Sequence, residues 1–179
     1  MPLTDDELAA VGRTLKEREM GQGMNWRSFS PPLDRNRDTL AQLGLRSDVP
    51  LLSLFTSSDD EVAAFVEGRT AFPCQLSWVR AAVEYAAGHR ELSLVIRVHP
   101  NTAGSQALGD NRRQLEEFLQ LREAMPANVR MVMPDDPVST YSLIERSAVG
   151  LVYSSTVGLE MAARGKSVVV AGPGACCVG

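Results

Sequence analysis

Residues 51–58 read LLSLFTSS, a short apolar run followed by three small hydroxyl residues. An apolar run of this length without alternation is typical of a strand buried on both faces of a sheet. The hydroxyl residues that follow suit a loop in which backbone amides become available to a ligand. We therefore predict a central β-strand over 51–55 with a polar loop at its carboxyl end.

Strand and helix patterns alternate from this stretch towards the end of the chain. Further strands are predicted over 92–98, 129–133, 149–153 and 167–171, with helices over 75–87, 111–124, 139–146 and 156–164. This alternation predicts an α/β fold, a Rossmann-like doubly wound parallel sheet of about five strands with helices on both faces. In the commonest strand order, 3-2-1-4-5, a ligand crevice opens between the carboxyl ends of the first and fourth strands.

The residues before the first strand follow a different pattern. Thr4 and Glu7 have the spacing of a capping box, and apolar residues at helical spacing follow until Gly21. Two consecutive prolines then impose an extended backbone, and a short helix ends at Gly44. We therefore divide the chain into a helical arm over 1–48 and an α/β domain over 49–179.

Composition excludes several classes of protein. The chain has 179 residues, with 18 Lys and Arg against 22 Asp and Glu, a net charge of −4 and 44% hydrophobic residues. These values are ordinary for a soluble globular protein, and the acidic balance argues against nucleic-acid binding. The three cysteines form neither a disulfide framework nor a spaced zinc site. Without a long apolar run or a secretory signal, we expect a cytoplasmic protein that holds no metal.

Small hydroxyl residues, a histidine and a glycine follow the first, second and fourth predicted strands. They are Thr56, Ser57, His99, Pro100, Ser154, Ser155, Thr156 and Gly158. The free amides and the dipole of the helix start after the fourth strand favour an anion, so a phosphate or pyrophosphate is expected there. Glu160 lies further along that helix, where its carboxylate could accept hydrogen bonds from the vicinal hydroxyls of a sugar.

The same residues also have purely structural explanations. Serine and threonine before a helix most often cap it, and the helix dipole favours a first-turn carboxylate such as Glu160. His99 is explained equally well as a loop histidine that hydrogen-bonds to backbone. Asp136 is interpreted as a turn former, and Ser139 as a helix N-cap.

Four blocks of sequence follow one another in a recognisable order. They are RVHPN at 97–101, DPVSTYSLI at 136–144, YSSTVGLE at 153–160 and GKSVVVAG at 165–172. In this order they resemble bacterial capsule polysaccharide biosynthesis proteins, which are glycosyltransferases of the GT-B fold and similar to bacterial sialyl and Kdo transferases. The resemblance covers about residues 48–172. It implies a nucleotide-sugar-binding domain over 49–179, truncated at its carboxyl-terminal end, preceded by an interdomain segment.

The resemblance also implies roles for the candidate residues. His99, in its His-Pro pair, would contact the phosphate of the donor nucleotide, while Ser155 and Thr156 would hold the phosphate oxygens. Glu160 would bind the ribose hydroxyls, and Ser139 and Tyr141 would line the base. Donors of such enzymes need no metal or other cofactor, because a helix terminus and side chains stabilise the departing phosphate.

The implied function is donor binding in a glycosyltransferase of capsular or surface polysaccharide biosynthesis. The resemblance favours a CMP-linked acidic sugar as the donor. The catalytic base usually belongs to the amino-terminal domain, so we expect this piece to bind without turnover. The full-length enzyme would use a glycan or glycolipid acceptor and could associate with the cytoplasmic face of the inner membrane. One alternative is a nucleotide-sugar epimerase or a teichoic-acid-type glycerophosphate transferase. Another is a noncatalytic α/β binding module.

Overall fold

The computed structural model describes residues 2–22, 30–58, 71–102 and 110–172. Its strands are β1 (Leu51–Phe55), β2 (Ser93–Arg97), β3 (Val129–Val132), β4 (Val149–Val152) and β5 (Ser167–Val170). They form one 5-stranded sheet in the order β3-β2-β1-β4-β5, and each neighbouring pair is parallel. The doubly wound parallel sheet predicted from the sequence is confirmed, together with its strand order.

Within the described residues, two α-helices lie in the arm before β1 and four connect the strands. They are α1 (Asp5–Glu19), α2 (Thr39–Gln42), α3 (Gln75–Gly88), α4 (Asp110–Arg122), α5 (Thr140–Arg146) and α6 (Val157–Ala163). The helices predicted within the domain are confirmed, with small shifts at their ends. Through α3 and α4 the chain proceeds from β1 to β2 and β3, and α5 then carries it to β4 on the other side of β1. At such a reversal a ligand crevice is expected at the carboxyl ends of the two strands, here β1 and β4.

Two apolar layers lie on opposite faces of the sheet. In the first layer, Leu54 of β1 belongs to the same buried cluster as Phe118 of α4. In the second, Phe55 clusters with Leu143 of α5 and Met161 of α6. Successive residues of β1 therefore point into different layers, which is the arrangement expected of a strand buried on both faces.

The part of the arm nearest β1 is packed into the second layer. Leu40 of α2 and Leu45 are 2% and 8% exposed and belong to the cluster that contains Phe55. The Arg130 side chain of β3 also reaches this segment, donating from Nε to the carbonyl oxygen of Leu43 at 2.9 Å. Residues 39–45 are therefore part of the folded core.

Helix α1 is attached differently. Its capping box is present, with Thr4 and Glu7 bonded to each other as predicted, but none of its residues is buried. Leu8 and Val11, which the helical pattern would place on a packed face, are 53% and 47% exposed. The contacts of α1 with the domain are polar and involve its last turn, where they bear on the candidate site.

Candidate functional site

The loops that follow β1 and β2 are tied together at the carboxyl edge of the sheet. The Thr56 hydroxyl accepts the backbone N–H of His99 at 2.9 Å. The carbonyl of His99 accepts the Thr102 hydroxyl at 2.7 Å and the Thr102 N–H at 3.0 Å, within a 3₁₀ turn over Pro100–Thr102. The backbone of His99 is thus fixed on both sides, and the residue is partly exposed at this edge.

Two buried glutamines clamp the backbone of Ser57. Oε1 of Gln75 accepts the Ser57 N–H at 2.6 Å, and Nε2 of the same side chain donates to the Ser57 carbonyl at 2.9 Å. Nε2 of Gln114 donates to that carbonyl as well, at 3.0 Å. Neither glutamine was predicted from the sequence as a site residue. Gln114 gave one signal, because it precedes Phe118 by one helical turn and so occupies the apolar face of α4.

Two hydroxyls of the loop after β1, those of Ser57 and Ser58, are buried without a hydrogen-bond partner among the described residues. Ser57 and Ser58 are 1% and 0% exposed, and neither Oγ finds a partner among the described residues. Buried polar atoms in folded proteins nearly always have a partner in protein, water or ligand. Ser57 was a candidate from the sequence, whereas Ser58 was not. Both serines directly follow β1, at the edge of the sheet where the strand order reverses.

The loop after β4 separates the predicted hydroxyl residues by role. Ser155 is buried, and its Oγ accepts the Val157 N–H at 3.3 Å at the start of α6. Thr156 occupies the N-cap position with a helical backbone, makes no capping bond with its side chain and is exposed. Ser154 is partly exposed, and Gly158 is buried in the first turn of α6. Thr156 therefore remains accessible while Ser155 supports the helix.

A buried cation fixes the loop after β3. Arg97, the last residue of β2, is 3% exposed and donates to the carbonyl oxygens of Met133 and Pro134. Burial lowers the pKa of Arg97 below its usual value, and the nearby Asp136 carboxylate opposes this shift. Asp136 also accepts the Met133 N–H at 2.7 Å, which confirms its predicted part in a turn.

Ser139 stands at the N-cap of α5 as predicted, but it makes no capping bond with its side chain. The Thr140 N–H donates instead to the hydroxyl of Ser30 in the arm, at 2.8 Å. The Ser139 hydroxyl is buried and has no hydrogen-bond partner among the described residues. It lines a cleft of about 290 Å³ between the arm and α5, together with Pro31, Pro32, Leu33, Asp34, Arg37, Thr39, Gln42, Pro137, Val138 and Ser142.

Glu160 lies beneath the last turn of α1. Its Oε1 pairs with Nη1 of Arg18 at 2.6 Å, and its side chain is 8% exposed. The next residue of α1, Glu19, pairs at 2.8 Å with Arg164, the C-cap residue of α6. The carboxylate expected from the sequence to meet a sugar is therefore occupied by a guanidinium of the arm.

Tyr141 completes this group of side chains. The Arg164 guanidinium lies 5.6 Å from the centroid of the Tyr141 ring. Burial raises the pKa of Tyr141 well above its usual value, and the Glu160 carboxylate beside the phenol acts in the same direction. The contacts thus join the predicted residues in two groups, with Thr56, Ser57 and His99 at one place and Tyr141 and Glu160 at the other.

Two further observations bear on the kind of site. Within the described residues, no three His, Cys, Asp or Glu side chains converge in a way that could hold a metal ion. Among the described helices, none combines the length and the apolar character that crossing a bilayer requires.

Solved structures with a similar fold were found by comparison. The chain superimposes on the "beta Kdo 2,4 transferase" structure of Thermosulfurimonas dismutans KpsC with a TM-score of 0.59 and 16% identity, over 97% of this chain and 47% of that one. The "beta Kdo 2,7 transferase" structure of the same organism's KpsC gives 0.48 and 15%, over 96% and 44%. This chain thus spans about half the length of either structure. No family model and no curated protein matches it. At this identity, the likeness to the first structure establishes a shared fold.

Proposed function

We propose that this chain is the nucleotide-sugar-binding part of a glycosyltransferase that builds a capsular or other surface polysaccharide. The observation that carries the proposal is a pair of buried hydroxyls, those of Ser57 and Ser58, which have no hydrogen-bond partner among the described residues. They follow Thr56, whose hydroxyl holds the backbone of His99, at the edge where the strand order reverses. Ligands of open α/β sheets bind at this place. The fold shared with a structure described as a Kdo transferase, and the four blocks of similar sequence, favour a sugar donor over other ligands.

In the proposed complex the phosphate of the donor lies between His99 and the start of α6. Ser154, Ser155 and Thr156 supply hydroxyls there, and Gly158 allows the ligand to approach the first turn. The dipole of α6 favours negative charge near its start, and we propose that the site needs no metal or other cofactor.

The remaining parts of the donor are assigned to the second group of side chains. Glu160 is proposed to accept hydrogen bonds from the ribose hydroxyls, and Ser139 and Tyr141 are proposed to line the base. The cleft beside Ser139 supports the assignment of that residue, since small-molecule sites are concave and combine apolar walls with a few polar groups. The donor that we propose is a CMP-linked acidic sugar.

The proposed reaction is a direct displacement at the anomeric carbon of the donor sugar. The bond from an acceptor hydroxyl forms while the bond to the phosphate oxygen breaks, and the nucleotide leaves with the electron pair. His99 and the hydroxyls before α6 would steady the charge that develops on the leaving phosphate. The base that takes the acceptor proton, and the glycan or glycolipid acceptor, are proposed to belong to another part of the enzyme at the cytoplasmic face of the inner membrane.

Thermal unfolding with CMP, UDP, GDP or no ligand tests this function. A nucleotide at about 100 times its dissociation constant adds about 2.7 kcal/mol of stability, a rise of about 5–10 °C for a chain of this size. We expect this rise with CMP for the unmodified chain and its loss in His99→Ala. The matched control is His89→Ala, because the ring of His89 stacks on exposed Tyr85 and hydrogen-bonds to its carbonyl, away from the site.

Each outcome has a defined meaning. A rise with UDP in place of CMP would keep the transferase and reject the proposed donor. Equal losses in the His99 and His89 variants would remove His99 from the site. A transition that no nucleotide moves would reject donor binding altogether and favour a noncatalytic module.

A further inference from the structure

Helix α1 is fastened to the domain by charge rather than by apolar packing. It has no buried residue, and its apolar residues Leu8 and Val11 are about half exposed. Two ion pairs attach its last turn to the domain, one between Arg18 and Glu160 and one between Glu19 and Arg164. Arg18 and Glu19 are 36% and 23% exposed, and α1 contributes no buried residue, so α1 can leave the domain without exposing the apolar core.

The contact covers the Glu160 carboxylate, which lies beside the Tyr141 phenol. Oε1 of Glu160 is paired with Arg18, whereas Oε2 is buried without a hydrogen-bond partner among the described residues. A buried carboxylate oxygen without a donor is costly. Two vicinal hydroxyls could supply a donor to each oxygen, but with Arg18 in place the side chain is only 8% exposed and closed to a ligand.

We propose that the arm is a strap over the donor site, in which Arg18 and the ribose hydroxyls of the nucleotide compete for the carboxylate of Glu160. This inference rests on the proposed function. It adds that Glu160 cannot bind the ribose of the donor while it is paired with Arg18. Because coupling between two binding events is reciprocal, the nucleotide releases α1 and release of α1 tightens nucleotide binding. The arm thereby sets how readily the donor site is occupied.

Calorimetric titration of CMP into the complete chain and its variants tests the competition. The apparent affinity of a site that is open in only a fraction of molecules is reduced by that fraction, so we expect Arg18→Ala to bind CMP about three- to tenfold more tightly. Arg46→Ala is the matched control, because Arg46 forms an exposed pair with Asp48 and should leave the affinity unchanged. The gain should disappear in Arg18→Ala/Glu160→Gln and be smaller for dCMP, which lacks one of the two vicinal hydroxyls.

Hydrogen exchange on the unmodified chain gives a second readout that needs no variant to fold. CMP should accelerate exchange of the amides of α1 over Asp5–Glu19 while it protects the loops after β1 and β4. An unchanged affinity in Arg18→Ala, or protection of α1 by CMP, would overturn the strap and leave the proposed function standing. If CMP, UDP and GDP bind neither the unmodified chain nor Arg18→Ala, the proposed function and the strap both fall.

Discussion

Thr56 and Ser57, neighbouring hydroxyl residues after β1, differ in which of their atoms are hydrogen-bonded. The hydroxyl of Thr56 accepts the backbone N–H of His99, so Thr56 positions the histidine. At Ser57 the backbone is held by glutamines, and the hydroxyl is the part left without a partner. The chemistry of this loop therefore depends on which atoms of each residue the fold has already used.

The clamp on Ser57 predicts a large effect of a single glutamine. Replacing Gln75 by Leu leaves the buried Ser57 N–H without the acceptor that it has at 2.6 Å. An unsatisfied buried donor costs about 1–3 kcal/mol, and we expect Gln75→Leu to lower the free energy of unfolding by this amount. Urea unfolding measures it, with Gln120→Leu on the exposed side of α4 as control. Equal midpoints for the two variants would contradict the clamp.

Tyr141 predicts a pH dependence of stability. Because burial and Glu160 raise its pKa in the folded state, Tyr141 stays protonated when the unfolded chain ionises above about pH 10. Its contribution to stability is therefore complete below that pH and is lost as the pH rises further, by at most about 1 kcal/mol per pH unit for a half-buried group. Urea unfolding at about pH 8 and about pH 11 should show a larger loss for the unmodified chain than for Tyr141→Phe. Parallel losses would refute this.

The sequence located the loops of the candidate site better than the contacts within them. His99 and Ser155 were found because a residue after a predicted strand must lie at the sheet edge. The glutamine clamp and the pairing of Glu160 with Arg18 were not found, because they join residues 18 and 142 positions apart. Long-range side-chain partners leave no local pattern in a single sequence.

At the scale of elements, close packing between β4 and α6 depends on one small residue. A Cβ on Gly150 would overlap Sδ and Cε of Met161, and Met161 is fully buried in the second apolar layer. The glycine in β4 therefore lets α6 approach the sheet. That approach places the start of α6, with Ser155 and Thr156, at the edge of the crevice.

We therefore expect Gly150→Ala to destabilise the domain. Overpacking of this kind costs about 1–3 kcal/mol, and it should lower the urea midpoint accordingly. Gly12→Ala is the matched control, because Gly12 lies in α1 with nothing near its Cβ position. A more favourable helix residue at that place should not lower the midpoint. A Gly150→Ala midpoint as high as that of the control would show that the Met161 side chain moves aside without a loss of stability.

Element boundaries were predicted well where the signal is local. Apolar runs predicted the strands, and glycines predicted the helix ends, to within a few residues. A strand that is buried on both faces needs apolar residues at successive positions, so its signal is local. The cap of α5 shows the limit of such signals. The Thr140 N–H donates to the hydroxyl of Ser30, which lies 110 positions away in the sequence, although Ser139 occupies the usual position of a capping side chain.

At the scale of the whole molecule, the arm consists of two parts with different attachment. Residues 39–45 are anchored by buried leucines in the second layer, whereas α1 is held through Arg18 and Glu19. The central strands β1 and β2 are almost fully buried. Local stability should follow this gradient, since segments with few buried apolar contacts open most readily.

Hydrogen exchange at low and high salt tests the gradient. At about 1 M salt the screening length falls to about 3 Å, which weakens partly exposed ion pairs and leaves apolar packing intact or stronger. Amides of α1 beyond its first turn should therefore exchange several-fold faster at high salt, while those of β1 and β2 should not. If α1 kept its protection, polar fastening would be the wrong description, and contacts other than the ion pairs would have to hold it. If salt loosened α1 and the sheet together, the arm and the domain would be one cooperative unit, and α1 could not act as an independent strap.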